Sequence, residues 1–132
     1  MKKYLILSII LLISVFVHAQ NAKKLNGKWK GSYFCRQGET GVTLKIKGKS
    51  NGTFCGTFKF YPLPSNLNAK AGKFSFTGTF NTSGKIIITQ KKWLKQPNNY
   101  IMVDLEGELI NPNTIRGKIV TDGCGSFNVI RK

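Results

Sequence analysis

From residue 27 onward, apolar residues fall on alternate positions, and glycines interrupt those same positions. Val42, Leu44 and Ile46 share one parity, as do Phe54, Phe58 and Phe60. Phe74, Phe76 and Phe80 follow, then Ile101, Val103, Leu105 and Leu109. Period-two alternation marks a strand with one buried face, and no long stretch keeps apolar residues at helical spacing. Gly31, Gly56, Gly78, Gly107 and Gly117 lie on the apolar parity. A glycine inside a strand marks a bend or a close backbone approach, and glycines on one face let a small sheet curl shut. Turn residues divide the pattern into strands predicted at 27–36, 41–48, 52–61, 72–80, 84–91, 100–110, 114–121 and 125–131. Eight short antiparallel strands of this kind predict an all-β, single-domain up-and-down barrel rather than a two-sheet sandwich or a five-stranded OB-fold.

Up-and-down order sends successive loops to opposite ends. One end receives the tight turns GKSNG, NTSG and NPN; the other receives RQGET, YPLPSNLNAKAG, KKWLKQPNN and TDGCG. Long loops on a rigid scaffold are the usual place for binding, so the second end is the expected site. Cys35 closes the first strand and Cys124 opens the eighth, which closure makes antiparallel neighbours at the long-loop end. Cys55 sits two strands away, about 10 Å at the usual strand spacing, beyond disulfide reach. A Cys35–Cys124 bridge is therefore expected; because Cys124 differs in parity from Phe127 and Val129, either Gly125 forms a bulge or the strand register is shifted. Cys55 is expected as a small core filler.

The chain starts Met1-Lys2-Lys3 and then runs uncharged from Tyr4 to Val17, ending Val17-His18-Ala19. That run is short for a bilayer span, and its form is that of a secretory signal over 1–19, cleaved before Gln20. Residues 20–132 then form the barrel domain, exported to the periplasm or outside a bacterial cell. Losing Lys2 and Lys3 from the 21 basic residues leaves 19 against 5 acidic ones, a net charge of +14. Such a field favours acidic partners: an acidic glycan, an anionic envelope surface, nucleic acid. Arginine occurs only at 36, 116 and 131, and lysine is a hydrated point charge, poor at bidentate phosphate reading. Nucleic acid is therefore disfavoured. The lysines are spread over every segment and read as a solvated basic surface.

Catalytic chemistry has little to build on. The only histidine, His18, leaves with the signal, which removes triads and histidine-based metal sites. No glycine-rich phosphate loop occurs. Asp104, Glu106 and Glu108 lie at the spacing of a carboxylate pair, but they oppose the apolar parity and so face solvent. The Pro112 turn sets Glu108 opposite Arg116 and Glu106 opposite Lys118, as cross-strand charge pairs. No enzyme activity, cofactor or metal is expected.

Gly27-Lys28-Trp29 resembles the Gly-x-Trp signature of lipocalin-like barrels, and the shorter chain brings it closer to avidin-like ones. That resemblance implies that Trp29 plugs the closed end and that Arg131, on the last strand, covers it. Cys35-x-Gln37-Gly38-x-Thr40, Phe60-Tyr61-Pro62, Trp93 with Pro97 and Tyr100, and the Cys124-to-Phe127 step look similar to a small exported bacterial domain. This domain is also found appended to caspase-like proteins. The second likeness spans most of 27–131 and implies a β-barrel accessory domain with no settled activity.

Candidate ligand-binding residues are Trp93, Tyr100, Tyr61, Arg36 and Gln37. Trp93 and Tyr100 read as an aromatic platform for a sugar or another flat apolar ligand, or as loop anchors over the mouth. Tyr61 beside Pro62 reads first as structural, and Arg36 and Gln37 either line the rim or form the turn. The expectation is a monomeric, non-catalytic binding module acting through its long-loop end. The alternative is an inhibitor or immunity protein that docks those loops on a secreted enzyme. The interior phenylalanines predict a filled barrel with little room for a deep cavity.

Overall fold

Residues 18–132 are described by a computed structural model in which eight antiparallel strands close into one barrel in sequence order. The strands are β1 (Gly27–Cys35), β2 (Gly38–Gly48), β3 (Thr53–Tyr61), β4 (Gly72–Phe80), β5 (Lys85–Lys95), β6 (Leu105–Asn111), β7 (Thr114–Ile119) and β8 (Ser126–Arg131). Pairing of β1 with β8, Trp29 opposite Arg131 through Tyr33 opposite Phe127, shuts the barrel. A short 3-10 helix, Ala22–Leu25, precedes β1. Among the described residues no helix is long and apolar enough to cross a membrane. The signal read over 1–19 lies outside the described residues, except for His18 and Ala19.

The pleat explains the alternation. Phe54, Phe58, Phe60, Phe74, Phe76 and Phe80 point inward and are buried, while the residues between them face out. Phe58 stacks on Phe74 at 4.6 Å, and Tyr33 meets Phe58 edge-on at 5.1 Å. The inward glycines make room for these rings. Gly56 faces Phe76 across the β3–β4 ladder and Gly78 faces Phe54, and a methyl group at either glycine would collide with the facing ring. Small residues opposite large ones let the sheet bend around a dense aromatic core.

The short-turn end is sealed. Trp29 is fully buried, and its indole Nε1–H donates to the Leu25 carbonyl at 2.9 Å. The Arg131 guanidinium lies 4.2 Å above the indole and donates to the carbonyls of Lys24, Asn26 and Pro112. Ala22 and Leu25 fill the space beneath, and the Asn26 side chain accepts from the Gly48 N–H at 2.6 Å. Trp29 and Arg131, the pair picked out by the lipocalin-like resemblance, thus lie together at this end with the guanidinium over the ring.

At the other end, Cys35 and Cys124 form a disulfide. The expected bulge inside the last strand is not needed, because Cys124 and Gly125 precede β8. There the Gly125 N–H donates to Phe34 and its carbonyl accepts from Ile119. Cys55 is exposed on the outer face of β3 and is not a core filler: it alternates with Phe54, which takes the inward place.

Two strand boundaries depart furthest from expectation. β5 runs on to Lys95, so Trp93 lies in a strand and not in a loop. β6 begins only at Leu105, so the alternation Ile101/Val103 belongs to an unpaired segment. The cause is an irregular register. β5 carries bulges opposite Phe74 and Ser75, and the Asp104 carboxylate takes the Gln90 N–H at 2.9 Å, where a ladder partner would otherwise stand. Asp104 is accordingly a strand terminator, whereas Glu106 and Glu108 face Lys118 and Arg116 as predicted, the first as an ion pair at 3.8 Å.

Candidate functional site

The β5–β6 seam holds only four register pairs, Lys85–Ile88 against Glu108–Leu105. Beyond it the wall is completed by the segment 96–104, which folds over the mouth. A cavity of about 580 Å³ lies there, lined by Tyr33, Phe60, Phe74, Tyr100, Ile101 and Val103, with Arg36, Gln37, Asn99 and Asp122 among its polar groups. Its size suits a small organic ligand. The phenylalanines fill the barrel below and form the cavity floor, so the expectation of little room for a deep cavity applies to the shaft and not to the mouth.

Each polar group is held by named partners. Gln37 Nε2–H donates to the Tyr33 hydroxyl at 3.0 Å and to Thr40 Oγ1 at 3.1 Å, satisfying two buried hydroxyls from the β1–β2 turn. Asn66 Nδ2 donates to the Gln37 and Glu39 carbonyls, which fastens the 62–71 loop onto that turn. Burial first, and the neighbouring Tyr100 second, push the Tyr33 phenol well above its ordinary range. It enters the cavity as a neutral hydroxyl.

Tyr100 stacks on Phe60 at 5.5 Å with the rings 4° from parallel, and its hydroxyl accepts from the Lys70 N–H at 2.9 Å. It therefore joins two mouth loops while presenting a face to the cavity. Asn99, with φ +66°, makes the turn that turns Tyr100 inward; asparagine tolerates this left-handed conformation. Arg36 packs across Gly123 at the rim, where a side chain in place of the glycine would displace it.

Arg36, Gln37 and Tyr100 thus meet at the mouth as anticipated, while two other candidates lie elsewhere. Trp93 is half-buried in the wall, edge-on to Phe74 at 5.7 Å and Phe60 at 6.1 Å, behind the cavity floor. Tyr61 is on the outer wall, its ring over Gly41 and its hydroxyl 3.1 Å from Thr43 Oγ1. The chief residue missed in the sequence is Tyr33, although its inward parity and its place just below the first long loop mark it. Among the described residues no three His, Cys, Asp or Glu side chains gather as a metal-holding group.

No family model and no curated protein matches this chain. Among solved structures, the chain is similar to a redesigned beta barrel, with a TM-score of 0.61 and 14% sequence identity, covering 89% of this chain and 98% of that one. At that identity the likeness concerns the fold alone: a closed, eight-stranded antiparallel β-barrel with lipocalin-like up-and-down order.

Proposed function

We propose that the protein is a non-catalytic binding module, exported to the periplasm or beyond, that takes a small cyclic ligand into its mouth. The observation that carries this reading is the aromatic-floored cavity, with Tyr33, Tyr100, Arg36, Gln37, Asn99 and Asp122 converging on it. An apolar concavity with a few fixed polar groups is the usual form of a small-molecule site. A sugar ring or a flat polar aromatic fits that chemistry, with Tyr100 supplying the stacking face. Export rests on the basic, short-apolar N-terminal run, and a disulfide agrees with an oxidising compartment. The resemblance to exported accessory domains, including those beside caspase-like ones, is compatible with this reading and brings no settled activity of its own.

A second reading, an inhibitor or immunity protein docking on a secreted enzyme, draws on a specific observation. Leu67 and Ile101, on two mouth loops, are 78% and 66% exposed. One experiment separates the readings. In a Trp29→Phe background, Trp93 is the only tryptophan left and sits against the cavity floor. Its emission is followed while a panel of mono- and oligosaccharides and polycyclic aromatic acids is added. Saturable binding lost with Tyr100→Ala and Arg36→Ala supports the cavity. No response to the panel, together with an enzyme partner released by Leu67→Asp and Ile101→Asp, would establish the second reading instead.

A further inference from the structure

The lysines that look scattered in the sequence are not scattered on the barrel. Following the ladders outward from β1, Lys30 lies opposite Thr43, Thr43 opposite Lys59, Lys59 opposite Lys73, and Lys73 opposite Lys95. The adjacent row reads Lys28, Lys45, Thr57, Ser75 and Lys92 in the same way. All of these residues face outward, and none of the positions holds an acid. Among the described residues the only ion pair is Lys118–Glu106, on the far side of the barrel. Lys28, Lys30, Lys45, Lys59 and Lys73 border one groove of about 410 Å³ together with Thr43, Thr57 and Tyr61. This outer wall is separate from the mouth.

Three of these contacts set lysine directly opposite lysine: Lys28 with Lys45, Lys59 with Lys73, and Lys73 with Lys95. Like charges placed so destabilise a sheet; of the five acids only Glu39 shares the outer face of these strands, beyond the rows on β2 where its carboxylate accepts from Ser32, while Asp104, Glu106, Glu108 and Asp122 lie at β6 or in the loop before β8. The arrangement lowers the stability of the free barrel and would be relieved by a bound polyanion.

We infer that this wall binds a linear acidic polysaccharide, laid across the strands of β1–β5. Five strands at the usual spacing span about 19 Å, enough for a short run of anionic sugars. The hydroxyls of Thr43, Thr57 and Ser75 stand between the ammonium groups, placed to hydrogen-bond sugar hydroxyls. Nucleic acid fits less well. The rows contain no arginine for bidentate phosphate contacts, and Tyr61, packed over Gly41, is the one aromatic bordering the groove, too few for a run of stacked bases. A bilayer fits less well too, because the surface is convex and the rows offer no apolar side chain to insert.

The test uses heparin and polygalacturonate as probes, with a thirty-nucleotide oligothymidylate, vesicles containing phosphatidylglycerol, and neutral dextran beside them. The row variant carries Lys30→Gln, Lys59→Gln, Lys73→Gln and Lys95→Gln; a control with the same net charge carries Lys24→Gln, Lys49→Gln, Lys85→Gln and Lys132→Gln. Affinity for both acidic polysaccharides should fall at least tenfold in the row variant and less than threefold in the control. Added salt should weaken binding steeply. Without ligand, the row variant should melt no lower than the parent, because lysine repulsion is removed. Should the row variant prove unstable, Lys73→Gln alone, which removes the lysine standing between Lys59 and Lys95, should still lower affinity severalfold. Equal losses in row and control variants would reduce the effect to net charge and overturn the inference. So would oligothymidylate, vesicles or dextran binding as tightly as the acidic polysaccharides.

Discussion

Replacing Trp29 with alanine probes the sealed end directly. The indole is fully buried, so its removal leaves a hole between Leu25, the 3-10 helix and the first strand. Losing a large buried aromatic costs about 3–5 kcal/mol. The Leu25 carbonyl also loses its buried donor, and Arg131 loses the ring beneath it, a contact of about 0.5–1 kcal/mol at a site reached by solvent. Arg131 itself keeps its bonds to the Lys24, Asn26 and Pro112 carbonyls, so no charge is stranded. The total comes to about 5 kcal/mol. Small domains have only about 5–15 kcal/mol of stability, so the variant should be close to unfolding. Trp29→Phe keeps most of the packed ring and gives up the indole N–H, and should cost about 2 kcal/mol. Urea melts of all three proteins, at unchanged m-value, measure both steps. A loss below about 2 kcal/mol for Trp29→Ala, or equal losses for the two variants, would show that the ring does not plug the barrel.

Trp93→Ala should cost roughly half as much as Trp29→Ala, since its indole is half-buried, packed edge-to-face with the Phe60 and Phe74 rings; a change within about 0.5 kcal/mol by urea melt would place it outside the packed wall. Reducing the Cys35–Cys124 bridge, whose cysteines are 89 residues apart, should destabilise by about 4–5 kcal/mol in the chain-entropy model. Non-reducing peptide maps should show iodoacetamide on exposed Cys55 alone. Tyr33 predicts an alkaline effect. Its folded phenol holds its proton above the ordinary value of 10.0, so above that pH the unfolded chain binds fewer protons than the folded one. Its contribution is intact below pH 10 and is lost as pH rises beyond, and Tyr33→Phe should flatten that decline in pH-dependent melts.

Most of the architecture was legible because the pleat writes itself into alternate residues. Phe54 through Phe80 and the inward glycines gave closure, and strand adjacency gave the cysteine pair. What was not legible lay where alternation persists without pairing. Ile101 and Val103 alternate like strand residues, yet Asp104 caps Gln90 and ends the ladder first. That competition depends on a bulge in β5 that no local pattern announces. Past the first of the two β5 irregularities the ladder continues and pairs Trp93 with Phe74, which sets it in the wall instead of a loop. The site was half legible: Arg36, Gln37 and Tyr100 fall in loops that topology sends to the mouth, whereas Tyr33 looks like any inward aromatic. The lysine rows were hidden for a different reason. They follow from register across five strands, which sets in one row residues up to 65 positions apart, Lys30 at one end and Lys95 at the other.

The first and last strands meet at the β1–β8 seam, which the disulfide fastens at the mouth and the Arg131 clasp fastens at the base. A barrel fastened there cannot unzip between its outermost strands, where sheets ordinarily fray. Its weakest line is the four-pair β5–β6 seam, well round the circumference from that fastening. Past that seam the continuity of the wall depends on side-chain bonds, Gln90 to Asp104 and Met102, instead of on a backbone ladder. Local opening should therefore start there, and amide exchange should be fastest along β5 and β6.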